Sequence, residues 1–240
     1  MISFIVPAHN EELLIGATLA SIHAAAREAA VEYELIVVDD ASTDATAQIA
    51  AGHAARVIPV NNRQISATRN CGARAALGDV FIFVDADTVA TADAVRDIVA
   101  AIGKGAAGGG CLFRFDGNLP RWARLTFPIV IRLFRQFNLV GGCFLFCTRP
   151  TFEAIGGFSE DHFAAEELIF RNAVRRVGKF VIPPAVVITS GRKLRAYSGF
   201  EILGTLIKIS CGGTRSYRAR EGLEVWYGQR RADPEAQSPP

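Results

Sequence analysis

The sequence predicts an α/β fold: a mixed, mainly parallel sheet with helices on both faces and a helical C-terminal extension. Short apolar runs alternate with stretches of helical spacing along the first hundred residues, a pattern typical of βαβ units. Half of the 240 residues are hydrophobic and 21% are charged, which supplies a sizeable core and excludes a disordered chain. We therefore expect one domain over residues 1–231, followed by a polar, proline-rich and disordered tail at 232–240.

The first hundred residues hold four predicted strands, each followed by a predicted helix. The strands are the apolar runs Ile2–Val6, Glu34–Val38, Arg56–Val60 and Val80–Val84. The helices are Glu11–Arg27, a segment capped by Ser42 or Thr43 that ends near Ala51, Arg63–Leu77, and a segment from Thr91 to about Ile102. Such strands are joined by right-handed crossovers and pair in parallel.

The second half is less regular and carries the opposite charge. Its predicted strands are 108–115, Cys143–Cys147, Phe180–Ile182 and Val186–Thr189, and its predicted helices are Pro120–Phe137 and Ala164–Val177. Residues 1–118 carry a net charge of −6 and residues 119–240 one of +8. An acidic half beside a basic half favours a metal-bearing site on one side and an anionic partner on the other.

Carboxylates follow three of the predicted strands. Glu11–Glu12 comes after the first, Asp39–Asp40 after the second, and Asp85-Ala86-Asp87 after the fourth. Ligands of open α/β sheets bind beyond the carboxyl ends of the strands, so we expect these side chains at one edge. Asp85 and Asp87 can converge on Mg²⁺ or Mn²⁺, which prefer oxygen ligands. No GxGxxG motif follows a predicted strand to support a dinucleotide-binding site, and the sequence has no GxxxxGK[ST] motif to support a P-loop site.

Five motifs occur in order between residues 2 and 190. They are Pro7-x-x-Asn10-Glu11, Val38-Asp39-Asp40-x-Ser42-x-Asp44, Ala67-x-Arg69-Asn70-x-Gly72, Asp85-x-Asp87, and Gly156-Gly157-Phe158 followed by Glu166-Glu167. In this combination the sequence resembles the bacterial family-2 glycosyltransferases of the GT-A (nucleotide-diphospho-sugar transferase) fold. The resemblance implies an inverting, metal-dependent transfer of a sugar from a UDP- or GDP-sugar to an acceptor hydroxyl. Residues 1–118 would bind the nucleotide sugar and residues 119–231 the acceptor.

The resemblance also implies roles for the residues after the first two strands. Pro7, Asn10 and Glu11 would lie along the nucleotide base and ribose, and Asp40 would accept a hydrogen bond from the base. The alternative for the Asp39–Asp40 pair is the chemistry of a turn and a helix cap.

Further roles fall on the third helix and the fourth strand. Arg69 would reach toward the ribose or the diphosphate, and Gly72 would permit close packing of its helix. Asp85 would lie near the ribose and the metal, and Asp87 would be the direct ligand of Mg²⁺ or Mn²⁺. A metal there would neutralise charge on the departing diphosphate.

An inverting single displacement needs a base to take the proton of the acceptor. The resemblance assigns that role to the second residue of the acidic pair, which here is Glu167. The family more often has Asp at this position, so the arm of Glu167 is longer by one methylene. The alternative is that Glu166 and Glu167 only complement the N-terminus of their helix.

Many relatives place a histidine ligand near the end of the domain, where this chain has Thr189-Ser190-Gly191-Arg192-Lys193. Such a basic loop resembles a subset of bacterial family-2 enzymes, in which Arg192 and Lys193 would stabilise the diphosphate leaving group directly. The alternative is solvated surface charge.

The part of the chain that would bind the acceptor is the least defined. The arginine-bearing helix 120–137 and the segment Phe200–Cys211 fit an interfacial membrane contact or a lipid-linked acceptor. They fit equally a core helix whose arginines pair with carboxylates. The five cysteines form no CxxC pair and are typical of buried thiols in a reducing compartment.

No run reaches the ~18 apolar residues of a membrane span. We expect a cytoplasmic protein, with a peripheral position at the inner membrane face left open, and no nucleic-acid partner. Two competing functions also stay open, a sugar nucleotidyltransferase and a non-catalytic relative that binds sugar nucleotides.

Overall fold

A computed structural model of the chain describes residues 1–202, 204–205, 223, 231 and 233–234. The strands are β1 (Ile2–Ala8), β2 (Tyr33–Asp40), β3 (Arg56–Val60), β4 (Val80–Val84), β5 (Thr88–Val89), β6 (Ala106–Gly110), β7 (Leu112–Phe115), β8 (Phe144–Thr148), β9 (Lys179–Val181) and β10 (Val186–Thr189). The helices are α1 (Ile15–Glu28), α2 (Thr46–Gly52), α3 (Ile65–Ala75), α4 (Ala92–Gly103), α5 (Arg121–Gln136), α6 (Arg149–Ile155), α7 (Glu166–Val177) and α8 (Arg192–Ala196).

The described residues form a seven-stranded sheet of order β3-β2-β1-β4-β8-β6-β9 and a three-stranded sheet of order β5-β10-β7. In the larger sheet, β3, β2, β1 and β4 pair in parallel, and β9 pairs in parallel with β6. β8 runs antiparallel between β4 and β6. The prediction of a mixed, mainly parallel sheet covered by helices is confirmed.

The central strands are buried on both faces, as their unbroken apolar runs require. Phe4 and Val84 belong to one apolar cluster, and Ile5 and Phe83 belong to a second. Gly72 brings α3 close to the sheet, because a Cβ atom there would lie 2.4 Å from a methyl group of Ile5. The predicted role of this glycine in close packing is confirmed.

The chain divides into two compact units, which do not follow the predicted halves at residue 118. Unit 1 comprises Met1–Arg114, Val140–Glu160 and Glu166–Thr189. Unit 2 comprises Phe115–Leu139, Asp161–Ala165 and Ser190–Pro240. The segment Val140–Glu160 belongs to unit 1 because it contains β8, which completes the seven-stranded sheet between β4 and β6.

Some local predictions differ from the structure. The segment predicted as one strand at 108–115 is two strands, β6 and β7, which belong to different sheets. The predicted cap of α2 is wrong, because the Ser42 hydroxyl instead accepts the Asn10 N–H and Ala45 occupies the cap position. The carboxylate of Asp44 accepts the Thr46 N–H in that first turn. By contrast, Thr91 caps α4 as predicted.

Three of the cysteines are buried thiols. Burial raises the pKa of Cys111 to about 12, and it also raises the pKa values of Cys143 and Cys147. Cys71 is partly exposed and Cys211 lies outside the described residues.

Two further observations concern membrane-spanning helices and the C-terminal region. No helix among the described residues is long and apolar enough to cross a membrane. In the stretch predicted to be disordered, Asp233 forms an ion pair of 2.6 Å with Arg195. Most of Phe200–Cys211 lies outside the described residues.

Candidate active site

The loop after β1 is tied to the loop after β2 by reciprocal hydrogen bonds. The backbone N–H of Asn10 donates to the hydroxyl of Ser42 at 2.9 Å, and the amide oxygen of Asn10 accepts the N–H of Thr43 at 2.8 Å. The N–H of Glu11 donates to the hydroxyl of Thr46 at 2.7 Å. Pro7 is buried within β1, just before this loop. The structure therefore holds the predicted base-binding and ribose-binding segment as a rigid edge of unit 1.

Asp40 is almost fully buried and its carboxylate accepts four hydrogen bonds. Oδ1 accepts the N–H groups of Asn62 and Arg63 at 2.7 and 2.8 Å. Oδ2 accepts the Gln64 N–H at 3.2 Å and the Thr68 hydroxyl at 2.9 Å. These contacts hold the chain that enters α3, which favours the turn and helix-cap alternative for this carboxylate. The predicted contact of Asp40 with the nucleotide base stays a prediction.

The neighbouring residue Asp39 differs from Asp40 in its hydrogen bonds. The side chain is buried, and Oδ1 has no hydrogen-bond partner among the described residues. An unpaired buried carboxylate oxygen costs free energy. Of the acidic pair, Asp39 has the free acceptor, whereas the resemblance points to Asp40.

Arg69 is fully buried and connects three parts of unit 1. Its Nη2 donates to Oδ1 of Asp85 at 2.8 Å and to the backbone oxygen of Gly142 at 2.8 Å. Its Nη1 donates to Oε1 of Glu166 at 3.2 Å. Burial alone would lower the pKa of Arg69, but the charges of Asp85 and Glu166 outweigh it and raise the pKa. The guanidinium stays charged and holds the two carboxylates near each other.

This geometry gives Arg69 a positioning role. The predicted contact of Arg69 with the ribose or the diphosphate stays a prediction, because the side chain is fully buried and its guanidinium is engaged by protein groups. The sequence did not indicate Gly142, which lacks a side chain where a Cβ would approach Arg69 and Glu166 at 3.4 and 3.5 Å.

Asp85 and Asp87 lie just beyond the end of β4 and are both partly exposed. The backbone N–H of Asp85 donates to the oxygen of Cys143 at 3.0 Å. The hydroxyl of Thr189, in β10, lies 3.4 Å from Oδ1 of Asp87 and accepts the hydroxyl of Thr88 at 3.0 Å. The two aspartates are thus held from the β4 end and from the three-stranded sheet.

This donor set fits a divalent cation. It offers carboxylate oxygens two residues apart, of the kind that Mg²⁺ and Mn²⁺ prefer, and such ions are often held by one or two carboxylates plus phosphates of the substrate. Among the described residues, no group of three or more His, Cys, Asp or Glu side chains is placed to hold a metal. Asp85 and Asp87 would therefore need ligand oxygens to complete the coordination.

Asn70, the neighbour of Arg69 in α3, fixes the Gly-Gly-Phe loop. Its side-chain amide donates to the backbone oxygen of Phe158 and accepts the Phe158 N–H, both at 2.8 Å. Gly157 has a φ of +79°, and a Cβ atom there would lie 2.7 Å from Oδ1 of Asn70. The loop therefore passes close to α3. Two successive residues of α3 position the acidic pair: Asn70 acts through the Gly-Gly-Phe loop and Arg69 acts through Glu166.

Glu166 and Glu167 occupy the first turn of α7. Burial and the neighbouring charge of Glu166 raise the pKa of Glu167 to about 8, and a hydrogen bond between the two carboxyl groups adds to this rise. The nearby Arg69 acts in the opposite direction but does not cancel it. Arg69 pairs directly with Glu166, so the two acids differ: Glu166 is bound by a cation, whereas the carboxyl of Glu167 has a raised pKa.

Arg192 and Lys193 open α8 in unit 2 and are partly exposed. The loop before them is fixed by Asp116, whose carboxylate accepts the Gly191 N–H at 2.7 Å. Arg195 is used structurally, since it pairs with Asp116 at 3.2 Å as well as with the tail. The contact of Arg192 and Lys193 with a diphosphate stays a prediction.

Comparisons with known proteins identify the family and the fold of the chain. The family model "Glycosyl transferase family 2" matches residues 3–155. An undecaprenyl-phosphate 4-deoxy-4-formamido-L-arabinose transferase of Pseudomonas fluorescens is 33% identical over 112 residues, which are 43% of this chain and 33% of that protein. An uncharacterized glycosyltransferase of Mycobacterium bovis is 33% identical over 105 residues, which are 44% of this chain and 45% of that protein. The matched segments thus span less than half of these relatives.

Solved structures share the fold. A mannosyltransferase of Pyrobaculum calidifontis, in complex with GDP-Man and Mn²⁺, has a TM-score of 0.68 at 20% identity, covering 94% of this chain and 67% of that one. Glucosyl-3-phosphoglycerate synthase of Mycobacterium tuberculosis, with Mn²⁺ and UDP, has a TM-score of 0.58 at 20% identity, covering 88% and 80%. The family model covers well over half of the chain, and the chain belongs to glycosyl transferase family 2.

Proposed function

We propose that the protein is an inverting, metal-dependent glycosyltransferase that moves a sugar from a UDP- or GDP-sugar to an acceptor hydroxyl. The observation that carries the proposal is the buried Arg69, which binds Asp85 at 2.8 Å and Glu166 at 3.2 Å. It draws the aspartates that would face the donor toward the acidic pair that would face the acceptor.

The donor would lie along the loops after β1, β2 and β4. Pro7, Asn10 and Glu11 form the fixed edge for the base and ribose, and Asp39 offers a free buried acceptor beside Asp40. Asp85 and Asp87 would hold Mg²⁺ or Mn²⁺ together with oxygens of the diphosphate. A bound metal supplies charge neutralisation for the departing diphosphate.

Glu167 would be the base. A base must be deprotonated to accept the proton of the acceptor hydroxyl, and it works best when its pKa lies near the working pH. The raised pKa of Glu167 meets that condition. Glu166 is instead engaged by Arg69, whose guanidinium lies 3.2 Å from its carboxylate.

We also infer a lipid-linked acceptor and a cytoplasmic location at the membrane surface. Support comes from one relative, whose name states that it acts on undecaprenyl phosphate, and from the basic charge of residues 119–240.

The experiment that tests the function is calorimetry with UDP and with GDP, each with and without Mn²⁺, followed by nucleotide release from a panel of UDP- and GDP-sugars. The proposal predicts metal-dependent binding of one nucleotide and release of that nucleotide from a matching sugar donor. Failure of both nucleotides to bind in either condition contradicts it. Metal-dependent binding without turnover on any donor or acceptor indicates the non-catalytic relative instead.

A further inference from the structure

An exposed apolar stripe runs along α5 in unit 2. It consists of Leu125, Ile129, Leu133 and Phe137, which are 75%, 61%, 44% and 58% exposed. Since the residues are four apart, each lies about 40° further round the helix axis, and together they cover an arc of about 120°. The core helices of unit 1 behave differently: α1 buries its apolar residues Ile15, Leu19 and Ile22.

Arginines line one side of the apolar stripe. Arg121, Arg124, Arg132 and Arg135 lie on an adjoining arc about 80° wide, which we call the arginine arc. All four are exposed, and within the described part of the chain none of their side chains forms a hydrogen bond or an ion pair. Residues 117–152 contain no Asp or Glu. The alternative of a core helix with paired arginines therefore does not hold for α5.

The surface continues beyond α5. Residues 199–202 are helical and lie against it, since a Cβ atom on Gly199 would be 3.1 Å from the ring of Trp122. The next residue, Phe200, has the most exposed large apolar side chain among the described residues, at 88%.

We propose that α5 docks unit 2 onto an anionic lipid bilayer, with the apolar stripe inserted among the acyl chains and the arginine arc on the lipid phosphates. A helix with an apolar face and a basic polar face binds a membrane interface in this way, and the basic residues favour anionic lipid. Phe200 would add apolar area at the N-terminal end of the helix.

A second copy of the chain is a weaker match for this surface. Most oligomeric interfaces are formed by the same patch on both subunits. Packing stripe on stripe would bring two arginine arcs into one interface, and residues 117–152 offer no carboxylate to neutralise them. A bilayer of anionic lipid supplies the missing negative charge and takes up the apolar side chains at the same time.

The test uses the full chain and sedimentation with vesicles, and it needs neither donor nor acceptor, so its result is separate from that of the proposed function. Vesicles of phosphatidylcholine with phosphatidylglycerol are compared with vesicles of phosphatidylcholine alone, in low and in high salt. The proposal predicts binding to the anionic vesicles that weakens with salt, because the charges are screened.

Two double variants locate the contact. Arg121→Gln with Arg132→Gln should weaken anionic-vesicle binding about 25-fold, at about five-fold for each arginine, and Ile129→Ser with Leu133→Ser should weaken it on both vesicle types. The matched controls are Arg27→Gln with Arg176→Gln, and Leu77→Ser with Val99→Ser, which change exposed residues of unit 1. These controls should bind as the unchanged protein does.

Three results would overturn the proposal. The first is no binding to anionic vesicles in low salt. The second is an equal loss of binding in the control variants. The third is a dimer in sedimentation equilibrium that Ile129→Ser with Leu133→Ser dissociates, because the apolar stripe would then be covered by a second copy.

Discussion

Arg69 donates a hydrogen bond of 2.8 Å to Asp85, which joins a fully buried cation to a carboxylate that is 29% exposed. The same guanidinium reaches Glu166 at 3.2 Å. One side chain therefore sets the separation between the end of β4 and the start of α7. It needs no contact with a ligand to do so.

Removing that cation should destabilise the fold. Arg69→Met leaves Asp85 and Glu166 near each other without a counter-charge, and breaking a buried ion pair at one partner costs about 3–5 kcal/mol. Urea unfolding measures the change. Arg96→Met is the control, since Arg96 forms only exposed ion pairs, which contribute little to stability. Equal losses in the two variants would show that Arg69 does not hold the site together.

A variant of Asp40 distinguishes a structural role of its carboxylate from a role in binding the nucleotide base. Asp40→Ala leaves three backbone N–H groups without their acceptor, whereas the Thr68 hydroxyl keeps the backbone oxygen of Gln64. We expect a loss of about 2–4 kcal/mol in the free energy of unfolding, because hydrogen bonds to charged groups contribute about 1.5–3 kcal/mol each and are not additive. Asp93→Ala, at an exposed site, should change stability little. If Asp40→Ala keeps its stability but loses UDP and GDP, the carboxylate binds the base instead.

Glu167 should make stability depend on pH. Its pKa rises from an ordinary 4.5 to about 8 on folding, so between these values the folded state holds a proton that the unfolded state has lost. Unfolding then releases a proton, and stability falls as pH rises from about 4.5 to 8.

Glu167→Gln removes that contribution. Its melting temperature relative to the unchanged protein should rise from pH 5 to pH 8, by about 2–4 °C for each kcal/mol at this chain length. Glu153→Gln, on the exposed side of α6, serves as the control. A melting-temperature difference that stays constant with pH would mean that the carboxyl of Glu167 titrates normally.

Asp87 should control metal-dependent nucleotide binding. Asp87→Asn keeps the shape of the side chain and removes its charge from the aspartate pair, so calorimetry should show weaker binding of UDP or GDP in Mn²⁺ and little change without it. Asp79→Asn lies at an exposed position and tests for a general effect of charge. Unchanged Mn²⁺ dependence in Asp87→Asn would place the metal elsewhere.

Much of the sheet could be predicted from the sequence, because buried parallel strands are short apolar runs separated by helices. β3 and β4 begin and end as predicted, at Arg56–Val60 and Val80–Val84. The break between β6 and β7 could not be predicted, because the glycine run 108–110 shows no hydrophobic periodicity. The two-residue strand β5 and the short helices α6 and α8 are too brief for periodicity to identify.

The sequence identifies candidate residues of the site, but it does not show the contacts among them. The end of the fourth strand predicts Asp85 at one sheet edge, and the family resemblance singles out Arg69 and the pair Glu166–Glu167. Neither observation can show that a buried guanidinium joins carboxylates 16 and 97 residues away along the chain. Hydrogen bonding likewise determines which acid of the Asp39–Asp40 pair has an unpaired oxygen among the described residues. Such facts depend on side-chain packing between distant segments, which one sequence does not display.

The most direct test of the central claim is the rate of sugar transfer in Glu167→Gln and Glu166→Gln, measured as nucleotide release from the donor that the panel identifies. Loss of a general base lowers the rate about 10²–10⁴-fold. We predict a loss in that range for Glu167→Gln, with donor and Mn²⁺ affinity nearly unchanged, and a much smaller loss for Glu166→Gln. Full activity in Glu167→Gln, or loss confined to Glu166→Gln, would contradict the assignment of Glu167 as the base.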